Sequence, residues 1–138
     1  MRRFFALALV PLVILVGCEN PEPATFPVEG TVTMNGKPAV GFTVEMASQE
    51  ESTRGVNSRG IVQADGKFKL TSTLNGKEKD GAVGGKHKVV VVPPPASSGA
   101  SSKEILPVPL TYADYNTTPL SFEVKPGESN VNKIEVVK

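Results

Sequence analysis

The sequence predicts an all-β domain, a Greek-key β-sandwich of about seven short strands, preceded by a cleaved signal peptide. Three observations predict it. From Val28 onward apolar residues alternate with polar ones at period two, the pattern of strands with one buried face. Thirteen Gly and twelve Pro are spread along 138 residues, which leaves few intervals long enough for a helix. Turn signals fall between the alternating runs: Asn35-Gly36, Asp65-Gly66 and Pro126-Gly127-Glu128, with Asn-Gly the strongest short hairpin signal. The length is right for one such domain.

The chain opens with a separate unit, residues 1–17. Met1-Arg2-Arg3 is a positive start, and Phe4 to Val16 is an uncharged, nearly all-apolar run of 13 residues. A spanning helix needs about 20 apolar residues, so the run reads instead as the core of a secretory signal peptide. Its end, Leu15-Val16-Gly17-Cys18, resembles the bacterial lipobox. That resemblance implies recognition of Leu15, Val16 and Gly17 by a signal peptidase and cleavage before Cys18. It also implies a diacylglyceryl group on the Cys18 thiol and acylation of the new amine. Cys18 is the one Cys of the chain, and a lone thiol has no disulfide partner within the chain. The competing reading is an ordinary signal peptide followed by an incidental or buried Cys. Each buried methylene contributes about 0.8 kcal/mol and one chain binds a bilayer only marginally, so three chains would make attachment effectively permanent.

Cleavage would remove Arg2 and Arg3, leaving 13 Lys+Arg against 14 Asp+Glu, a net charge of −1 instead of the +1 of the whole sequence. No basic excess remains to suggest a nucleic-acid partner. The expected localisation is the bacterial cell envelope, with the membrane as first partner through lipid on Cys18. Glu19 follows, where an Asp retains lipoproteins in the inner membrane of enterobacteria; Glu there points to the outer membrane. Residues 18–27 form the expected tether. Three Pro fall between Glu19 and Pro27, and at about 3.1 Å per residue the stretch would hold the domain roughly 28 Å from the lipid.

Residues 28–138 form the expected sandwich. Val28, Gly30, Val32 and Met34 share one face of the first strand, and Phe42, Val44 and Met46 one face of the second. Gln49 to Arg59 is polar and reads as a loop, Gly60 to Ala64 as a strand. Phe68 and Leu70 alternate with Lys67, Lys69 and Thr71. Asn75 to Gly85 reads as a long turn, with Lys77-Glu78-Lys79-Asp80 a solvated loop of mixed sign. Four Val in succession within Lys86 to Val92 predict a central strand covered on both sides, ended by Pro93-Pro94-Pro95. Ala96 to Ser102 is small and polar and reads as a loop. Leu120, Phe122 and Val124 alternate, as do Ile134 and Val136. Phe26, Phe42, Phe68 and Phe122 are assigned to the core. Gly36, Gly66 and Gly127 stand where turns call for positive φ, and Gly85 where a strand start is crowded.

Four segments together resemble carboxypeptidase regulatory-like domains. Val28-Glu29-Gly30-Thr31-Val32-Thr33-Met34-Asn35-Gly36-Lys37-Pro38 is similar to their G-x-V-x-x-N/D-G-x-P opening. Ala64-Asp65-Gly66-Lys67-Phe68 is similar to their D-x-D-G-x-F turn without its first acid. Gly84-Gly85-Lys86-His87-Lys88-Val89-Val90-Val91 is similar to their P-G-x-Y-x-V-x-V strand, with Gly84 in place of Pro and His87 in place of Tyr. Tyr112 to Leu120 resembles a segment frequent in small planctomycete-type lipoproteins of this group. The resemblance runs from Val28 to Lys138. It implies a transthyretin-like sandwich and no catalytic residue, because such domains sit beside metallocarboxypeptidases without being their catalytic domain.

The residues themselves offer little chemistry. His87, the one His, shares a face with Val89 and Val91 and reads either as a core-edge imidazole with one hydrogen bond or as the sole candidate for a catalytic or metal-binding ring. No Ser lies in a Gly-x-Ser-x-Gly elbow, Asp65-Gly66 lacks the acidic series of a calcium loop, and a lone His with one Cys makes no structural zinc site. No cofactor, metal or catalytic residue is expected. Tyr112, Asp114, Tyr115 and Asn116 form the candidate contact surface, since Tyr joins an apolar ring to a polar tip. The alternative is that these Tyr pack onto the sandwich edge. The functional expectation is a non-catalytic, membrane-anchored interaction or structural module with an envelope protein or glycan as partner. The alternatives are a small-ligand or carbohydrate-binding lipoprotein and, third, an enzyme accessory or hydrolase.

Overall fold

The structure, a computed structural model, describes residues 17, 20–95 and 108–137. Leu15, Val16, Cys18 and the polar run from Ala96 to Ser102 lie outside the described residues; Gly17 is exposed. In chain order the strands are β1 (Thr25–Phe26), β2 (Val28–Met34), β3 (Lys37–Pro38), β4 (Thr43–Ser48), β5 (Asn57–Ile61) and β6 (Lys67–Lys69). There follow β7 (Thr71–Leu74), β8 (Lys77–Asp80), β9 (Ala82–Val83), β10 (Gly85–Val92), β11 (Ser121–Val124) and β12 (Asn130–Val136). Among the described residues the only helical pieces are two short 3-10 turns, Glu51–Thr53 and Leu110–Ala113. The protein is all-β.

Two sheets face each other across one core. The larger has six strands in the order β11-β10-β4-β5-β7-β8, every neighbouring pair antiparallel. In the smaller, β2 lies between β12, its parallel neighbour, and the antiparallel β3 and β6. The period-two pattern puts Val28, Val32 and Met34 of β2, Val44 and Met46 of β4, Val89 and Val91 of β10, and Ile134 and Val136 of β12 into that core with Phe42 and Phe68. Phe26 and Phe122 pack against it partly buried. Burial of this apolar surface, at about 25 cal/mol per Å², is what holds the two sheets together. The four-Val strand is central as expected. β10 pairs with β4 and β11 on its two sides. Its outward Val90 is also buried, 1% exposed, with the Leu110–Ala113 turn packed on β10.

The sheets join where β6 ends and β7 begins. β6 pairs with β2, β7 pairs with β5, and Leu70 alone separates them, its N–H donating to the Val28 carbonyl at 3.0 Å. Two close backbone approaches need glycine, one at this crossing and one between β2 and β12. A Cβ on Gly60 would lie 2.2 Å from the Lys69 carbonyl oxygen, and one on Gly30 would lie 1.9 Å from that of Asn132. Both are positions where only hydrogen fits between backbones.

The structure has twelve strand segments among the described residues where the sequence predicts about seven, Ala82–Val83 falling inside the expected Asn75 to Gly85 turn. Three further differences have local reasons. β5 begins at Asn57, three residues before the expected Gly60, because its buried face is Ser58 and Gly60 while Ile61 points outward. The Lys77–Asp80 run is an edge strand and not a loop; at a sheet edge it needs no apolar face to be paired. The tether is the third. Of residues 18–27, Thr25 and Phe26 pair with Val83 and Ala82, and Glu22 forms an ion pair with Lys79. A free 28 Å spacer does not describe a segment that is hydrogen-bonded to the domain from Glu22 onward.

Candidate functional site

His87 stands on β10 opposite Phe122 and Ser48, on the inward face with Val89 and Val91. It is 1% exposed. Its Nδ1 lies 3.0 Å from the Gly85 carbonyl oxygen, which makes Nδ1 the protonated nitrogen. Nε2 has no hydrogen-bond partner among the described residues. Burial pushes the imidazole below its usual pKa, against the smaller opposing pull of the Gly85 carbonyl and the Glu50 charge. The ring is a neutral core residue with one hydrogen bond.

The segment from Val108 to Leu120 lies across the outer side of β10. Thr118 Oγ1 donates to the Val89 carbonyl at 2.6 Å, and Lys88 Nζ donates to the Tyr115 carbonyl at 3.0 Å. Asp114 caps the bend, its Oδ1 accepting the Asn116 N–H at 2.8 Å. Within the candidate contact surface the four side chains divide. Tyr112 is half-buried against the core, and Tyr115 is half-buried with its hydroxyl 3.4 Å from Glu45 Oε2. Burial, then the adjoining Glu45 carboxylate, pushes the Tyr115 hydroxyl up to about 12. Asp114 and Asn116 are exposed. The two rings are therefore largely spent in packing, and the polar pair faces solvent.

Glu45 also belongs to a second feature. An open groove of about 1200 Å³ runs over the outward-facing residues where the two sheets meet. Its ionic lining is balanced: Glu29, Glu45 and Asp65 against Arg59, Lys67 and Lys69. Strand register sets the alternation, because Glu29 stands opposite Lys69 on β2 and β6, and Glu45 opposite Arg59 on β4 and β5. Of these, only Lys67 and Asp65 form an ion pair among the described residues, at 4.0 Å and largely exposed. Ile61, 59% exposed, and Val131, 48% exposed, add apolar surface. The groove can offer ion pairs and hydrogen bonds to a polar ligand or peptide from rigid strands.

Sequence reasoning did not find this groove. Its charged lining residues read as ordinary solvated strand or turn positions, and the pairing of β2 with β6 that brings them together has no local signature. Among the described residues no group of three or more His, Cys, Asp or Glu is placed to hold a metal ion, and no helix is long and apolar enough to cross a membrane. The fold and the site define a class: an all-β sandwich with a charged groove on its outer surface and its one imidazole sealed inside. No family model, no curated protein and no solved structure matches the chain.

Proposed function

We propose that the chain is a lipid-anchored protein of the bacterial envelope whose β-sandwich is a non-catalytic interaction module of the carboxypeptidase regulatory-like type. One observation carries the reading. The single imidazole is buried and neutral, while the solvent-facing charges form a groove on strands. Such an arrangement is suited to holding a partner and poorly suited to moving protons in one. The lipobox-like Leu15-Val16-Gly17-Cys18 supports the anchor. Asp114 and Asn116 extend the contact area beside Tyr115, which touches the groove wall through Glu45.

The test is photocrosslinking in cells, with a photoreactive residue at Ile61 in the groove or at Asn116. One dominant protein adduct supports the module and names its partner. Turnover by the purified protein, abolished in His87→Ala, refutes it in favour of an enzyme. Anchoring is tested by Cys18→Ala, which should yield a stable protein outside the membrane fraction.

A second reading, binding of a small polar ligand or carbohydrate, is favoured by Arg59. It faces the groove beside Glu45 with no ion-pair partner among the described residues. Calorimetric binding of a glycan that is lost in Arg59→Ala would place this reading first.

A further inference from the structure

The residues between the anchor and the sandwich do more than connect them. Glu22 receives the Lys79 ammonium and, at 3.3 Å, the Asn75 side-chain amide. The Lys79 bond holds the Glu22 carboxyl below its usual pKa. Thr25 and Phe26 form a two-residue ladder with Val83 and Ala82. Gly81, at φ 91°, lets the chain lie directly on it: a Cβ there would stand 2.0 Å from the Phe26 carbonyl oxygen. The Pro27 carbonyl then accepts from Asn130 at 3.4 Å. Only the four residues from Cys18 to Pro21 remain as spacer before Glu22, and they reach at most about 14 Å.

The contacts also fix which end of the sandwich the anchor leaves from. Asn75, at the tip of the β7–β8 hairpin, and the Pro126–Ser129 turn lie at that end, the first touching Glu22 and the second tied by Asn130 to Pro27. β2 runs away from it for seven residues, about 23 Å at strand rise. The Asn35-Gly36 turn and Val136 are at the far end, joined by the Asn35 N–H donating to the Val136 carbonyl at 3.1 Å. The near end carries exposed Asn75, Lys77 and Lys125 beside exposed Glu78 and Glu128, and its amide and ammonium groups are able to hydrogen-bond and ion-pair with phosphate headgroups.

We propose that this N-terminal clamp holds the domain against the bilayer in one orientation. The β7–β8 tip and the Pro126–Ser129 turn face the lipid headgroups, and the Asn35-Gly36 end points away. The proposal rests on the lipid-anchor reading of Cys18. Its test uses the acylated protein in vesicles of phosphatidylethanolamine and phosphatidylglycerol. Because acylation blocks Cys18, a single introduced Cys is the only free thiol, at Lys77→Cys for the near end or Lys37→Cys for the far end. A fluorophore there is read against lipids carrying a headgroup quencher.

Strong quenching at position 77 and its loss at position 37 are expected, with the contrast falling in Gly81→Ala, which forces Phe26 off its seat. Equal quenching at the two positions overturns the orientation. The clamp has its own readout in the acylated protein in detergent. The backbone amides of the β1–β9 ladder should exchange far more slowly than in a free peptide, and free-peptide exchange overturns the clamp. An intact mass lacking acyl chains refutes the anchor reading, and the orientation with it, whatever the quenching.

Discussion

Replacing His87 with Phe separates the two costs of burying an imidazole. The ring is 1% exposed, its Nε2 has no partner among the described residues, and burial lowers its pKa below the usual 6.5. When pH falls, the unfolded chain therefore takes up the proton before the folded one. Stability is full above about pH 6.5 and is lost as pH falls toward the folded pKa. The loss between pH 7 and pH 5 grows with the depression of the folded pKa, and proton linkage caps it at about 1.9 kcal/mol, the limit for a ring that never takes up the proton in the fold. Phe does not titrate, so this loss disappears in His87→Phe. At pH 7 the variant also removes an orphaned ring nitrogen, worth about 1–3 kcal/mol, and loses the bond to the Gly85 carbonyl, worth about 1 kcal/mol. The assay is urea unfolding of both proteins at pH 7 and pH 5. Carboxylate titration is common to the two and cancels in the difference. If both proteins lose the same stability between the two pH values, the imidazole is charged or hydrated in the fold and the reasoning fails.

The other predictions concern backbone crossings, a turn and a phenol. Gly30→Ala brings a methyl to within 1.9 Å of the Asn132 carbonyl and should cost about 3 kcal/mol or more in urea unfolding. Gly36→Ala meets nothing within 4 Å but sits at φ 79°, and should cost only about 1–2 kcal/mol. Asn130→Ala removes bonds to the Pro27, Lys125 and Glu128 carbonyls and one from the Lys125 N–H, and should cost about 1–3 kcal/mol by the same assay. In alkaline absorbance titration Tyr115 should ionise at about 12, a late step that Tyr115→Phe lacks. Since its folded pKa is raised above the usual 10.0, the associated stability is lost as pH rises from about 10 towards 12.

Much of the fold was legible because β2, β4 and β12 each bury one face, which alternation reports directly, and because β10 is covered on both faces, which its run of four Val reports. The hairpin turn at Asn35-Gly36 was legible for a separate reason: both residues take positive φ, 49° and 79°, which Asn and Gly tolerate best. β5 and β7 were obscure because their inward positions include Ser58, Gly60 and Ser72. The buried hydroxyls are satisfied by one another, Ser58 Oγ to Ser72 Oγ at 2.6 Å, and no hydropathy pattern reports a hydrogen bond between strands. The candidate site was legible only in its sequence-local part, the Asp114–Asn116 bend. The groove depends on register between β2 and β6, whose facing residues Glu29 and Lys69 are 40 positions apart.

The same polar interior bears on how the N-terminal segment is seated. Ser72 accepts from Ser58 and donates onward to the Gly81 carbonyl at 2.7 Å, while the Gly81 N–H donates to Leu70 at 2.7 Å. Gly81 is thereby held from both sides at a positive φ that only glycine adopts without strain. Phe26 rests on that glycine, and Leu70 is the residue at which the chain passes between sheets. An apolar pair at positions 58 and 72 would pack as well and read more clearly as strands, but it would leave the Gly81 carbonyl without its serine donor. The residues that hide β5 and β7 from the hydropathy pattern therefore brace the loop on which the N-terminal segment lies.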